Sequence, residues 1–228
     1  MKTQRKVSAS RPHPLLGGLS AEAFLRQYWQ KHPLLIRAAL PGIEGRLDPA
    51  GLKRLAAREE AESRLVRHQR GRWRLDHGPF AREVLRALPG RGWSLLVSGV
   101  NHWLPYADRL LGEFDFIPHA RLDDVMVSLA PPGGGVGPHF DSYDVFLIQG
   151  RGTRRWEVSD QDDLELVADA PLRILKRFTP TQSWVLEPGD MLYLPPRLAH
   201  NGVALSECMT WSIGFRAPTH QEIATAFL

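Results

Sequence analysis

From about residue 122 the chain breaks into short apolar or alternating runs, at 125–129, 144–148, 154–158, 172–178, 183–186, 191–194 and 209–215. Gly, Pro and Asp clusters separate them. This texture predicts a β-sandwich or barrel. The residues before it read differently. Ser20 suits the N-cap of a helix reaching about Lys31, with Phe24, Leu25, Tyr28 and Trp29 on one face. Residues 34–36 read as a short buried strand, and Asp48-Pro49 as the cap and first residue of a second helix. Residues 64–74 are polar and basic. Further helices are expected over 80–88, stopped by Pro89-Gly90, and over 103–111, with a strand at 93–97 between them. Helices first and strands afterwards predict an α+β protein. Residues 1–18 form a mobile lead-in, 19–121 a helical or mixed shell, and 122–217 a jelly-roll core, while 218–228 begin a C-terminal helix that suggests a longer parent chain.

Within the strand-rich region, His139-Phe140-Asp141 places an imidazole and a carboxylate two residues apart. On a β-strand, side chains at i and i+2 leave the same face. His200 follows 59 residues after Asp141, behind the turn Pro188-Gly189-Asp190 and the run Pro195-Pro196, at the expected start of a later strand. Two His and one carboxylate are the set that holds non-haem Fe(II) on one face and leaves positions open for substrate and O₂. Gly133-Gly134-Gly135 and Gly137-Pro138 lead into the motif, and glycine permits the close backbone approach that a metal pocket needs. Arg154 and Trp156 are expected to share one strand face, in a strand beside 144–148 across a Gly-bearing turn. A buried guanidinium there needs an anionic partner, which a dicarboxylate co-substrate such as 2-oxoglutarate supplies. An exposed Arg on an edge strand, or one paired with Glu157 or Glu187, is the other reading. Ser128 and Ser212 are polar positions in apolar strands. Each is placed either to donate to that carboxylate or to satisfy the core.

Composition narrows the setting. No apolar run approaches the ~18 residues of a membrane helix, and no apolar segment follows the basic start Met1-Lys2-Thr3-Gln4-Arg5-Lys6. Cys208 is the only cysteine, which excludes an internal disulfide and a Cys-based metal site and fits a reducing, cytoplasmic location. The net charge of +4 hides an asymmetry: residues 1–110 carry 20 Lys and Arg against 9 Asp and Glu, a net of +11, and the rest carry −7. The basic half reads equally as a surface for RNA or an acidic partner and as a solvated Arg-rich face. The acidic half, which holds the motif, favours a cationic group on the target.

His139-x-Asp141, the basic Arg154 and the late His200 resemble the JmjC/cupin 2-oxoglutarate oxygenases. Longer stretches are similar to the bacterial ribosomal oxygenases: Asp123-Asp124-Val125-Met126-Val127-Ser128, Pro132 through Asp141, Tyr143 through Gly150, Tyr28-Trp29-Gln30-Lys31-x-Pro33-Leu34-Leu35-Ile36-Arg37 and Ala217-Pro218-Thr219-His220-Gln221-Glu222. The resemblance implies a double-stranded β-helix that uses Fe(II), 2-oxoglutarate and O₂. His139, Asp141 and His200 would hold the metal, and Arg154 would anchor the co-substrate. The activity it implies is hydroxylation of an arginine side chain in a large-subunit ribosomal protein, near ribosomal RNA, with Asp123, Asp124 and Asp144 as candidates for holding the target. Members of the family also direct the reaction to histidine. They normally continue into a dimerisation region and a winged-helix-like domain, which this sequence does not reach. Two other readings are kept: a cupin metalloenzyme that does not use 2-oxoglutarate, and a non-enzymatic RNA- or protein-binding module.

Overall fold

The computed structural model describes residues 11–216. Two antiparallel sheets face each other. Eleven strands build them: β1 (Leu34–Ile36), β2 (Ser63–Gln69), β3 (Arg72–His77), β4 (Trp93–Val97), β5 (Leu122–Ala130), β6 (Val145–Arg151), β7 (Arg154–Ser159), β8 (Gln182–Leu186), β9 (Met191–Leu194), β10 (Ala199–Ala204) and β11 (Cys208–Phe215). The large sheet runs β1-β9-β6-β11-β5-β4-β2-β3 and the small one β10-β7-β8. This is a jelly roll, the double-stranded β-helix, with helices packed on one side. Four of the strands come from the N-terminal region. β1 extends one edge of the large sheet, and β4, β2 and β3 extend the other, so that region is part of the sheet as well as its cover.

The helices are α1 (Ala21–Gln27), α2 (Pro49–Ala56), α3 (Arg82–Arg86) and α4 (Pro105–Gly112). The Ser20 hydroxyl accepts from the Ala23 amide at 3.1 Å, and the Asp48 carboxylate accepts from Gly51 at 2.6 Å ahead of Pro49. Each cap satisfies an amide that the first turn leaves unpaired. α1 stops short of Lys31. Gln30 takes a left-handed φ of 59°, and its amide donates to the Tyr193 hydroxyl at 2.7 Å. Trp29 then stacks on Tyr193 with ring centroids 5.8 Å apart. These tertiary contacts outcompete another helical turn.

Alternation along the strands divides the large sheet into two faces. Val125, Val127 and Leu129 on β5, with Met209, Trp211, Ile213 and Phe215 on β11, point to the helices and build the main core with Phe24, Phe114 and Phe146. Met126, Ser128, Thr210 and Ser212 point the other way, into the space between the sheets.

Three expectations are corrected, and the basic stretch 64–74, for which no element was expected, forms one. Residues 11–18 are not a mobile lead-in. Pro14–Leu16 form a 3₁₀ turn whose Leu15 and Leu16 are buried in the core, and Gly17 follows in a left-handed conformation. The basic stretch 64–74 is most of the hairpin β2–β3, turned by Arg70 and Gly71, both at positive φ (51° and 73°). That is the backbone of a two-residue primed turn. β6 and β7 are not neighbours: β6 pairs with β9 and β11, β7 with β10 and β8, and the chain crosses between sheets at Gly152. Residues 172–178 form no strand; Leu175 makes only an isolated bridge to Leu166 within an excursion between β7 and β8. The expected helix over 218–228 lies outside the described residues.

Candidate metal and co-substrate site

His139 does not sit in a continuous strand. It meets His200, the second residue of β10, in an isolated antiparallel bridge, with reciprocal amide-to-carbonyl bonds of 2.9 and 2.8 Å. That bridge brings the two halves of the motif together across 60 residues of chain. Asp141 lies beyond the bridge, and its carbonyl accepts from the Arg197 amide at 2.7 Å. The backbone of Asp141 is therefore anchored to the loop that precedes β10, rather than carried with His139 on one strand.

The side chains converge. One ligand atom from each of His139, Asp141 and His200 lies within 4.8 Å of the others, and His200 Nε2 is 3.6 Å from an Asp141 oxygen. Both imidazoles make the same local contact: His139 Nδ1 lies 2.9 Å from the Gly137 carbonyl and His200 Nδ1 2.9 Å from the Leu198 carbonyl. A carbonyl can only accept, so Nδ1 carries the proton in each ring. Nε2 is left with its lone pair facing the partner ligands, the tautomer that a metal requires. Burial, then the neighbouring His139, lowers the pKa of His200 to about 4, although Asp141 pulls the other way. A neutral imidazole is ready to ligate at neutral pH.

The site opens into a cleft of about 900 Å³ between the two sheets. Arg154 and Trp156 on β7 share its floor with His200 on β10. Gly202 stands opposite Trp156 in the β7–β10 ladder, and a Cβ there would approach the indole to 2.6 Å. The missing side chain lets the indole lie flat across the pair, between the imidazole of His200 (centroids 5.9 Å apart) and the guanidinium of Arg154 (5.7 Å from the ring). Arg154 is 5% exposed. Its Nε donates to the Cys208 thiol at 3.4 Å, and its Nη2 is buried with no partner among the described residues. An unsatisfied, desolvated guanidinium nitrogen is costly, and its geometry suits a bidentate carboxylate. Ser128 and Ser212 line the same cleft from the large sheet, as do Thr210 and Ser94, whose buried hydroxyl also lacks a partner.

The carboxylates separate. Asp123 and Asp124 line the cleft on the β5 side. Asp124 accepts from the Gly99 amide at 2.6 Å, and burial raises its pKa. Asp123 is exposed and meets Arg216 at 3.1 Å. Asp144 is not brought to the cleft. It is fully buried, accepts from Tyr193 Oη at 2.5 Å and from Gln30 Nε2 at 3.2 Å, and ties α1 to the sheet. Its burial reflects that structural role, which the sequence offered no means to separate from a target contact. Trp156, Cys208, Thr210 and Ser94 were not singled out as site residues from sequence. The strand parity that places Arg154 inward also places Trp156 inward, and that is the one signal that could have found any of them.

A fold of two facing sheets with this triad on one rim is that of a JmjC oxygenase, and the sequence agrees: a family model described as "JmjC domain" matches residues 109–223. The chain belongs to that family. It is 43% identical over 207 residues to "Ribosomal protein uL16 3-hydroxylase" of Escherichia coli (strain K12), covering 90% of this chain and 54% of that protein. It is 42% identical to "Probable ribosomal oxygenase" of Haemophilus influenzae, covering 88% and 50%. Among solved structures it superposes on E. coli ycfD with a TM-score of 0.86 at 42% identity, covering 92% of this chain and 56% of that one. A structure of the same E. coli protein in complex with cobalt and 2-oxoglutarate matches with a TM-score of 0.82, covering 92% and 55%. The chain thus spans about half the length of the curated relatives it matches. No helix among the described residues is long and apolar enough to cross a membrane.

Proposed function

We propose that this protein is an Fe(II)- and 2-oxoglutarate-dependent hydroxylase acting on an arginine side chain of a large-subunit ribosomal protein. The observation that carries the reading is the unpaired, buried Arg154 Nη2 in the same cleft as the three converging ligands. A metal site alone does not require that cation, whereas a dicarboxylate chelating the metal through its oxo-acid end does. The residues fit the cofactor set: His139 and His200 would offer Nε2 and Asp141 a carboxylate oxygen, all three lining the cleft. When bound, Fe(II) supplies O₂ activation coupled to oxidative decarboxylation of the co-substrate to succinate and CO₂.

The chain's own residues do the placing. Arg154 grips the far carboxylate, with Ser128 and Ser212 as candidate donors from the opposing sheet. Trp156 walls the space between anchor and ligands and keeps water out. At the mouth, Asp124 is a carboxylate whose burial a guanidinium would compensate, with Asp123 beside it. That acidity favours a guanidinium-bearing target over histidine. Anaerobic loading with Fe(II) and 2-oxoglutarate, followed by O₂ and a ribosomal-protein peptide, tests the proposal. It should yield succinate and a peptide heavier by one oxygen atom, mapped to arginine. Succinate with no modified peptide would reject the target, and neither product would reject the reaction.

A further inference from the structure

The cleft uses the inner face of the β2–β3 hairpin: Arg64, Val66 and Leu75 line it. Beyond Leu65, which is buried in the main core, the outer face and the tip are used by nothing described so far. On that outer face Arg67 stands directly opposite Arg74 in the ladder, with Arg72 two residues along β3 and Arg70 at the turn. Like charges directly opposite each other destabilise a strand pair. Among the described residues Asp76 is the one carboxylate that meets them, pairing with both Arg67 and Arg74. Arg70 and Arg72 are exposed and have no acidic partner among the described residues. Across the sheet, Arg67 registers with Trp93, and Lys53 of α2 lies 5.7 Å above that ring. The result is a continuous cationic strip from α2 over β2 to the free edge of β3. Beside it, on the cleft side, His68 stacks on Trp73 with centroids 4.1 Å apart and planes within 16°.

The geometry points to this hairpin as an RNA-docking surface that lies against the wall of the active cleft. Cations spaced along a strand, with an aromatic pair alongside, are the means by which proteins bind nucleic acid backbones and bases without reading sequence. The choice of RNA over other polyanions rests on the ribosomal-protein reading above, because a target residue in a ribosomal particle is surrounded by phosphates. Trp73 makes the surface part of the site: a Cβ on Gly137 would come within 2.7 Å of its ring, so the indole packs on the residue whose carbonyl orients His139. Charge on β3 also protects a free sheet edge from pairing with other chains. Reversing the sign preserves that protection and removes RNA binding, which separates the two roles.

The test is fluorescence anisotropy of a labelled single-stranded RNA oligonucleotide against the wild-type chain, Arg72→Glu/Arg74→Glu and Arg72→Gln/Arg74→Gln, from about 50 to about 200 mM salt. The wild type should bind with affinity falling steeply with salt. The glutamate pair should weaken binding by about tenfold or more, the glutamine pair by less, and the log–log salt slope should drop by about 1.4, or ~0.7 for each lost phosphate contact. Equal binding by all three proteins overturns the proposal. So does an acidic peptide that binds the wild type as tightly as RNA, which makes the partner a protein. Cobalt and 2-oxoglutarate binding, followed by thermal shift, should be the same in all three. Its absence even from the wild type, with RNA binding intact, would sink the hydroxylase reading and leave the RNA surface standing.

Discussion

Arg154 is held in a state that costs the folded protein something until a ligand arrives. Its Nε has only a thiol for company, and its Nη2 has nothing. Replacing even a buried ion pair with well-packed apolar side chains is often neutral or stabilising by about 1–4 kcal/mol, and a charge with poorer compensation has less favourable energy to lose. Arg154→Met should therefore raise the melting temperature of the metal-free, diacid-free protein in calorimetry. The same variant should lose the further rise that 2-oxoglutarate with Co(II) gives the wild type, because ligand stabilisation requires binding to the native state. A wild-type protein that melts higher than the variant without ligand would mean that Arg154 is satisfied internally. At this scale much was legible. Period-two alternation is enough to place Arg154 with Trp156, and the ligand types are enough to expect a metal site, though not to name its metal. Asp144 was not legible: nothing local distinguishes an acid at a cleft mouth from one buried under Tyr193, because the partner lies 49 positions away.

Among the elements, the excursion between β7 and β8 shows how packing reaches the ligands. Leu175 is 3% exposed and forms a small apolar cluster with Phe140 and Ala199, against which Leu164, Leu166 and Phe178 pack. Phe140 is the residue between His139 and Asp141, and Ala199 precedes His200. The Leu175 amide also donates to the Pro138 carbonyl at 2.8 Å. Leu175→Ala should cost about 2–5 kcal/mol of stability, read by urea unfolding. Loosening groups that orient ligands typically costs about 10–100-fold in metal affinity, so Co(II) titration at a temperature where the variant is fully folded should show a loss of that order. A variant destabilised but unchanged in Co(II) affinity would reduce the cluster to ordinary core. The apolar residues at 172–178 suggested a strand because they contact the site from a loop and hide the same leucines. The hairpin β2–β3 was missed for the opposite reason. Its buried residues Leu65 and Val66 point to opposite faces and are outnumbered by arginines, and only Arg70-Gly71 marks the turn. The separation of β6 from β7 is a crossover between sheets, which a short Gly-bearing loop conceals as an ordinary hairpin.

For the molecule as a whole, the site is joined to the stability of the fold through pH. In the metal-free protein His200 titrates near 4, against about 6.5 in an unfolded chain. Between those values the unfolded state binds more protons at this position, so His200 lowers stability as pH drops from about 6.5 towards 4. Asp190 acts in the same sense at lower pH. Burial alone would raise its pKa, but amides of Glu187 and Ala38 and the Arg37 guanidinium at 2.6 Å hold it below the usual carboxylate range. The stability it contributes is present above its unfolded value and is lost as pH falls through its depressed one. Asp144 and Asp124, both raised chiefly by burial, work against this, since their folded forms take up protons first and gain stability on acidification. His200 lowers stability across the upper part of the window, from about 6.5 down to about 5, where unfolded carboxylates are still ionised, and there it outweighs the protons that folded Asp144 and Asp124 take up. Urea unfolding free energies of the metal-free protein should therefore decline over that range. In His200→Gln, which keeps a polar side chain but cannot titrate there, the decline should shrink to less than half. Parallel pH profiles for the two proteins would place the acid sensitivity elsewhere, and would mean that His200 is not the desolvated, neutral ligand that the bridge to His139 implies.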